Sequence, residues 1–263
     1  MTDGASAVFV DVDGQRLECV RIPGDPGAPT LVFLHEGLGS VATWKDFPER
    51  VATATGHPAL VYSRLGYGKS SPLPAARRPD YMHVEALSTL PALLDRLSIE
   101  QPILVGHSDG ASIALIHAGA GIRAVRAIVA LAPHVFVETL SVESIAKVRD
   151  AFESTDLRER LARRHNDVES AFRGWNDIWL SPEFRAWNIE SYLPTIGCPM
   201  LLIQGKDDEY GTVAQIGAIR RHVPVAVEYL ELADCGHSAQ RDQPEATLAA
   251  IVRFIASVSR ASR

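Results

Sequence analysis

The pentapeptide Gly106-His107-Ser108-Asp109-Gly110 carries the strongest structural signal in this chain of 263 residues. It follows the apolar run 103–105 and precedes the helix-like stretch 111–118, so it stands where a strand turns into a helix. A serine at such a sharp turn requires small residues two positions before and after it, which the two glycines provide. The pattern predicts a serine hydroxyl held above the edge of a sheet, at the positive end of a helix dipole. The alternative is a glycine-rich loop with an ordinary serine helix cap.

Short, mainly apolar runs recur on both sides of this turn. Such runs are typical of strands that are buried on both faces of a parallel sheet. They are Leu31–Leu34, Ala59–Tyr62, 103–105, Ala127–Leu131, 200–203 and Val227–Leu232. Helix-like stretches alternate with them, at 84–97, 111–118, 213–221 and 245–257. The alternation predicts an α/β fold built on a mostly parallel, doubly wound sheet.

The N-terminal part departs from this alternation. Val8–Val12 and residues 16–22 are rich in β-formers and flank Asp13-Gly14. An Asp-Gly dipeptide favours the tight turns that match the twist of two strands. We therefore expect an antiparallel hairpin before the parallel strands begin.

A second departure lies between residues 137 and 194, where no strand pattern is present. The segment is rich in charge and in helix-forming residues, and it contains Trp175, Trp179 and Trp187. A linker would carry neither this helix propensity nor these aromatic residues. The sequence therefore predicts an α/β core made of residues 1–136 and 195–263, with a helical cap of residues 137–194 inserted into it.

Composition and charge exclude several classes of protein. Hydrophobic residues make up 46% and charged residues 22%, which excludes a disordered, collagen-like or coiled-coil chain. The net charge of -6 gives no positive field for nucleic acid or an anionic membrane. Cys19, Cys198 and Cys235 are far apart and form no metal-binding motif, so no metal is expected. Without a secretory signal or an apolar run of about 18 residues, the expected location is the cytoplasm.

A serine hydroxyl needs a base, and nine histidines compete for that role. His237 lies in the small-residue loop 234–238 (DCGHS), between the last strand and the final helix. A base in that position can reach the serine, although an ordinary loop hydrogen bond is the alternative. The base needs a carboxylate to orient it. Asp208, the third residue after Gly205, is the first choice and Asp207 the second, against a merely solvated acidic loop.

The order Ser108, Asp208, His237 resembles the catalytic order of the α/β-hydrolase fold superfamily, and the resemblance covers nearly the whole chain. Residues 35–40 (HEGLGS) resemble the superfamily's H-G oxyanion loop, and residues 63–70 (SRLGYGKS) resemble its D-x-x-G-x-G-x-S loop. The sequence departs from the family pattern twice, because Glu36 separates the histidine from the glycine and Ser63 replaces the aspartate. The HEGLGS and GHSDG motifs together look like a subset of bacterial lidded serine hydrolases.

The resemblance implies an acyl-enzyme mechanism without a cofactor. It implies an oxyanion hole formed by the backbone N–H of Asp109 and that of Leu38, with Glu36 or Gly37 as the alternative to Leu38. The cap would cover the catalytic residues and help to bind a small, apolar or aromatic substrate. Candidate substrate contacts are Glu36, Phe136, Trp175, Trp179 and Trp187. Each of the aromatic residues could instead belong to the core of the cap. The protein is expected to act as a monomer or homodimer.

Carboxylic ester hydrolysis is the expected reaction. The same residues also suit a hydrolase of C–C bonds in dienoic keto acids or a cofactor-free perhydrolase. A dehalogenase or epoxide hydrolase is disfavoured, because its nucleophile would be an acid where Ser108 stands. A ligand receptor or pseudoenzyme remains the alternative outside enzymes. Residues 68–70 (GKS) resemble the end of a phosphate-binding loop, but Ser63 occupies the position where that motif needs glycine.

Overall fold

The computed structural model describes residues 7–260, which form a single eight-stranded sheet with helices on both faces. The strands are β1 (Val8–Val12), β2 (Gln15–Ile22), β3 (Leu31–Leu34), β4 (Ala59–Tyr62), β5 (Ile103–His107), β6 (Ala127–Leu131), β7 (Met200–Gly205) and β8 (Val227–Leu232). Their order across the sheet is β1-β2-β4-β3-β5-β6-β7-β8. β2 pairs antiparallel with β1 and β4, and all other pairs are parallel. The predicted sheet and its N-terminal hairpin are confirmed.

The helices agree with the sequence pattern in most places. They are α1 (Phe47–Thr55), α2 (Tyr81–Val84), α3 (Leu90–Arg96), α4 (Asp109–Ala120), α5 (Thr139–Ser154), α6 (Leu157–Ala162), α7 (Val168–Leu180), α8 (Val213–His222), α9 (Ala239–Asp242) and α10 (Pro244–Arg260). A π-helical stretch at Glu85–Thr89 joins α2 to α3, and 3-10 turns lie at Val41–Trp44, Pro182–Ala186 and Glu190–Thr195. The sequence did not predict α1, whose threonines are poor helix formers, or the single turn α9.

The uniformly apolar strands are explained by two core layers, one on each face of the sheet. In β3, Leu31 and Phe33 face the layer that contains α1 and α10, whereas Val32 and Leu34 face the layer under α4. All four side chains are fully buried. Because neighbouring residues of a strand point to opposite faces, a strand covered on both sides needs apolar residues throughout.

The topology brings several loops to one edge of the sheet. The carboxyl ends of parallel strands meet there, and ligands bind outside these ends in open α/β sheets. The loops after β3, β4, β5, β7 and β8 therefore gather at this edge, and those after β3, β5, β7 and β8 carry the predicted catalytic residues and the predicted oxyanion loop.

The segment between β6 and β7 is helical, as predicted, and contains α5, α6 and α7 followed by two 3-10 turns. Helices α5 and α7 pack on each other, and Phe152 stacks on Phe172 with ring centroids 3.7 Å apart. An isolated antiparallel bridge joins Phe136 to Asn188. No helix within residues 7–260 has the length and apolar character needed to cross a membrane.

Candidate active site

Ser108 occupies the sharp turn that joins β5 to α4. Its φ of 53° and ψ of -119° lie in a region that L-residues rarely adopt. A Cβ atom on Gly106 would lie 2.4 Å from the carbonyl oxygen of Gly110, and one on Gly110 would lie 2.0 Å from that of Leu34. Both positions therefore need glycine, as the sequence pattern predicted. The backbone N–H of Ser108 donates to the carbonyl of Leu131 on β6 (2.9 Å), which fixes the turn to the sheet.

His237 and Asp208 form a direct hydrogen bond between the loops after β8 and β7. Nδ1 of His237 lies 2.9 Å from Oδ1 and 3.0 Å from Oδ2 of Asp208. The carboxylate also accepts hydrogen bonds from the backbone N–H of Tyr210 (2.8 Å) and from Nε2 of Gln204 (2.7 Å). Burial is the largest single influence on the pKa of Asp208 and raises it, but the hydrogen bond and charge of His237 and the N–H of Tyr210 together lower it more, so the net pKa is below its usual value. The neighbouring Asp207 is exposed.

Ser108 and His237 line the same cavity, which has a volume of about 220 Å³. Because Asp208 engages Nδ1 of His237, Nε2 is the ring nitrogen left for a reaction in this cavity. Of the candidate substrate contacts, Glu36, Trp175 and Trp179 line it, and so does Leu38. Phe136 and Trp187 are not among the lining residues. The ring of Trp187 stacks on that of Phe184, with centroids 5.4 Å apart.

The loop after β3 forms a tight turn beside the cavity. The backbone N–H of Gly39 donates to the carbonyl of Glu36 (3.0 Å), and Nδ1 of His35 donates to the same oxygen (2.7 Å). The N–H groups of Gly37 and Leu38 have no acceptor among residues 7–260. Trp175 covers this turn so closely that a Cβ atom on Gly37 would lie 2.1 Å from its Nε1. Helix α7 therefore contacts the loop directly.

The loop after β4 shows how the chain accommodates Ser63 in place of an aspartate. Glu18, on the adjacent strand β2, accepts hydrogen bonds through Oε2 from Oγ of Ser63 (2.8 Å) and from the backbone N–H of Lys69 (2.9 Å). Oγ of Ser63 also accepts from the backbone N–H of Val41 (2.9 Å). A carboxylate from a neighbouring strand thus reaches the loop through the serine.

His134 is a site residue that the sequence analysis missed. It follows β6 by three positions, lines the cavity, and has its ring centroid 5.7 Å from that of His237. Burial, with a smaller contribution from His237, lowers the pKa of His134 to about 3, so the ring is neutral at ordinary pH. The rule that selected His237, a histidine just after a strand at this edge, would also have selected His134.

His107 also lines the cavity, although its side chain is almost fully buried. Its Nε2 donates to the backbone carbonyl of His237 (2.9 Å), which helps to hold the loop after β8. Nδ1 of His107 lies 3.4 Å from Oε2 of Glu36. Burial raises the pKa of Glu36, but the contacts with His107 and His35 lower it by more than burial raises it. The net pKa is about 2, so this carboxyl is ionised.

Within residues 7–260, no three His, Cys, Asp or Glu side chains are arranged to hold a metal ion.

Comparison with known proteins places the chain in a family. The family model described as the alpha/beta hydrolase family matches residues 31–251, and the chain belongs to this family. A 2-succinyl-6-hydroxy-2,4-cyclohexadiene-1-carboxylate synthase of Salmonella paratyphi C is 24% identical over 264 residues, which cover 91% of this chain and 98% of that protein. The enol-lactonase from Burkholderia xenovorans superposes with a TM-score of 0.76 at 20% identity, over 95% of this chain and 100% of that one. A carboxylesterase from Bacillus subtilis gives a TM-score of 0.74 at 21% identity, over 97% and 92% of the two chains.

Proposed function

We propose that this alpha/beta hydrolase cleaves carboxylic esters through an acyl-enzyme on Ser108. The observation that carries the proposal is the hydrogen bond between His237 and Asp208 at 2.9 Å, in a cavity that Ser108 also lines. A serine at a strained turn, a histidine with one free ring nitrogen and a carboxylate on the other nitrogen are the parts that acyl transfer needs.

The reaction follows from these parts. Ser108 Oγ attacks the ester carbonyl while Nε2 of His237 takes the hydroxyl proton, and Asp208 stabilises the resulting imidazolium. The tetrahedral intermediate collapses, and the leaving alcohol receives the proton from His237, which leaves the acyl group on Ser108. Water then attacks the acyl-enzyme with His237 again as the base. The carboxylic acid departs and the serine is restored.

The oxyanion of the intermediate needs two N–H donors, each typically worth about 10²–10³ in rate. One is the backbone N–H of Asp109, the residue after the nucleophile. For the other, the orientation of the loop favours Gly37 over Leu38. The carbonyl of Glu36 points towards His35 and Gly39, and the N–H of a trans peptide points away from its carbonyl, so the N–H of Gly37 faces the opposite way.

The helical segment 137–194 acts in this proposal as a cap on a core of residues 1–136 and 195–263. Ile145 and Val148 of α5 and Trp175 and Trp179 of α7 supply apolar walls to the cavity. With a volume of about 220 Å³, the cavity suits a short acyl or alcohol group. The substrate is therefore expected to be a small ester with an apolar or aromatic part.

The charges of the cavity help to rank the alternatives. Two acidic residues, Glu36 and Glu209, line it together with Arg241, whose guanidinium is paired with Asp242 (3.0 Å). An anionic substrate would meet repulsion there. This disfavours a carboxylate such as the product named for the Salmonella relative, and it also disfavours a dienoic keto acid. An uncharged ester fits better, and perhydrolysis remains a reaction of the same residues.

The test is hydrolysis of p-nitrophenyl acetate, butyrate and octanoate by the wild type and by Ser108→Ala. We expect turnover by the wild type, a preference for the shorter esters, and loss of turnover in the variant. An absence of turnover with all three esters would contradict the proposal and direct attention to C–C bond cleavage or perhydrolysis. Saturable ligand binding without turnover, unchanged in Ser108→Ala, would instead support a receptor.

A further inference from the structure

Arg64 is a fully buried cation at the carboxyl edge of the sheet. Its side chain is 1% exposed and belongs to the loop after β4. β3 lies between β4 and β5 in the sheet, so the guanidinium is close to the loops that follow all three strands. The ring of Tyr67 lies 5.0 Å from the guanidinium carbon. A buried charge needs such partners, because removing it from water is costly.

One nitrogen of Arg64 contacts both segments that supply the proposed oxyanion donors. Nη2 donates to the carbonyl of Glu36 (2.9 Å) and to that of His35 (3.3 Å), on the loop after β3. The same Nη2 lies 3.5 Å from Oδ2 of Asp109, the residue whose backbone N–H is the other proposed donor.

We propose that Arg64 is a positioning residue that sets the orientation of both N–H donors of the oxyanion hole. On the loop side it holds the carbonyl of Glu36 inward, which turns the N–H of Gly37 outward because the two groups of a trans peptide are opposed. On the other side it holds the carboxylate of Asp109, which is also fixed by the hydroxyl of Tyr81 (2.7 Å).

His35 completes the arrangement on the loop side. The backbone N–H of Arg64 donates to Nε2 of His35 (3.0 Å), while Nδ1 of His35 donates to the carbonyl of Glu36 (2.7 Å). Burial and the nearby Arg64 lower the pKa of His35 well below its usual value, so the ring is neutral. The neutral ring carries its proton on Nδ1, in agreement with both hydrogen bonds.

The same network reaches the cavity wall. Nε1 of Trp179 donates to the hydroxyl of Tyr81 (3.0 Å), and Trp179 lines the cavity. A residue that acts on the oxyanion hole should affect the chemical step more than ground-state binding, because the donors bind the transition state more tightly than the substrate. A residue that only stabilises the fold would not lower kcat selectively while leaving KM unchanged.

The test uses Arg64→Lys, which keeps the charge but has a shorter reach and no planar fork. We expect kcat for p-nitrophenyl acetate to fall by about 10- to 100-fold with KM within about threefold. The preference for an ester over the matching thionoester should also fall, because sulfur is a poor acceptor for oxyanion-hole donors. Arg77→Lys is the matched control. Arg77 stacks on the same Tyr67 ring (4.9 Å) and on the ring of Tyr81 (5.1 Å), but its guanidinium donates to the carbonyl of Leu65 and not to the loop after β3.

An unchanged kcat in Arg64→Lys, or an equal loss in Arg77→Lys, overturns the proposal. If Arg64→Lys does not fold, Tyr81→Phe probes the same network from the side of Asp109, and there an unchanged kcat overturns it. The inference rests on the proposed function, so a wild type without Ser108-dependent hydrolysis overturns both. Wild-type hydrolysis with an unaltered Arg64→Lys overturns this inference alone.

Discussion

Nδ1 of His237 lies 2.9 Å from Oδ1 of Asp208, although the two residues follow different strands. The carboxylate is held independently by the backbone N–H of Tyr210 and the side chain of Gln204, so its orientation does not depend on the histidine. This arrangement favours the histidine tautomer with its proton on Nδ1, which leaves a lone pair on Nε2.

Replacing the carboxylate should therefore disable the histidine. We expect Asp208→Asn to lower kcat by about 10⁴, because an amide favours the wrong tautomer and cannot stabilise the imidazolium. Asp207→Asn is the matched control, since Asp207 is exposed and should tolerate the change. Steady-state kinetics on p-nitrophenyl acetate compares the two variants. A larger loss in Asp207→Asn would assign the acid to the neighbouring residue.

The contact between Gly37 and Trp175 predicts that position 37 tolerates no side chain. A methyl group on Gly37 would lie 2.1 Å from Nε1 of the indole, so Gly37→Ala should displace the loop and lower kcat/KM by about tenfold or more. Removing the indole should relieve the clash. The loss of transition-state stabilisation, calculated from kcat/KM, should therefore be smaller in the double variant Gly37→Ala/Trp175→Leu than the sum of the losses in the two single variants.

The control for this effect is Gly197→Ala, because a methyl group on Gly197 would meet nothing within 4 Å. Its kcat/KM should equal that of the wild type. Strict additivity in the double variant would show that the indole is not the obstacle.

The hydrogen bond between Ser63 and Glu18 can be tested by moving the carboxylate from position 18 to position 63. Ser63→Asp would place a second carboxylate beside the buried Glu18, and should lower the free energy of unfolding by roughly 1–3 kcal/mol. Adding Glu18→Gln removes the repulsion and should recover most of the loss. Urea denaturation at pH 7 measures both variants. A double variant no more stable than Ser63→Asp would contradict this interpretation of the loop.

His134 should make the fold sensitive to acid. Its pKa is about 3 in the folded protein and about 6.5 in an unfolded chain, so the unfolded state binds the proton first as the pH falls. As the pH falls from about 6.5 to about 3, the free energy of unfolding therefore decreases by up to about 1.4 kcal/mol per pH unit. Above pH 6.5 the ring is neutral in both states, so His134 causes no such decrease there. His134→Phe should make the pH dependence shallower by that amount. Urea unfolding at pH 7, 6 and 5 tests this, and identical slopes would contradict it.

Much of the fold could be predicted because local patterns carry it. The apolar runs mark strands buried on both faces, and the glycines of 106–110 mark the turn at Ser108. Of the residues that were missed, His134 follows a strand and could have been found by the rule that selected His237, whereas Glu18 and Arg64 depend on pairing between distant segments. Glu18 reaches Ser63 only because β2 lies next to β4, and Arg64 finds its partners only because β3 lies between β4 and β5.

The most direct test of the account is to find which residue carries the acyl group. Wild-type protein is mixed with p-nitrophenyl acetate, quenched in acid within the first turnover, and its peptides are analysed by mass spectrometry. We predict an acetyl group on the peptide that contains Ser108, and no such group in the Ser108→Ala variant. Ser238 also lines the cavity, so Ser238→Ala is the control, and the acetyl group on Ser108 should be retained in that variant. Turnover without any adduct on Ser108, or an adduct on Ser238 that persists in Ser108→Ala, would contradict the account.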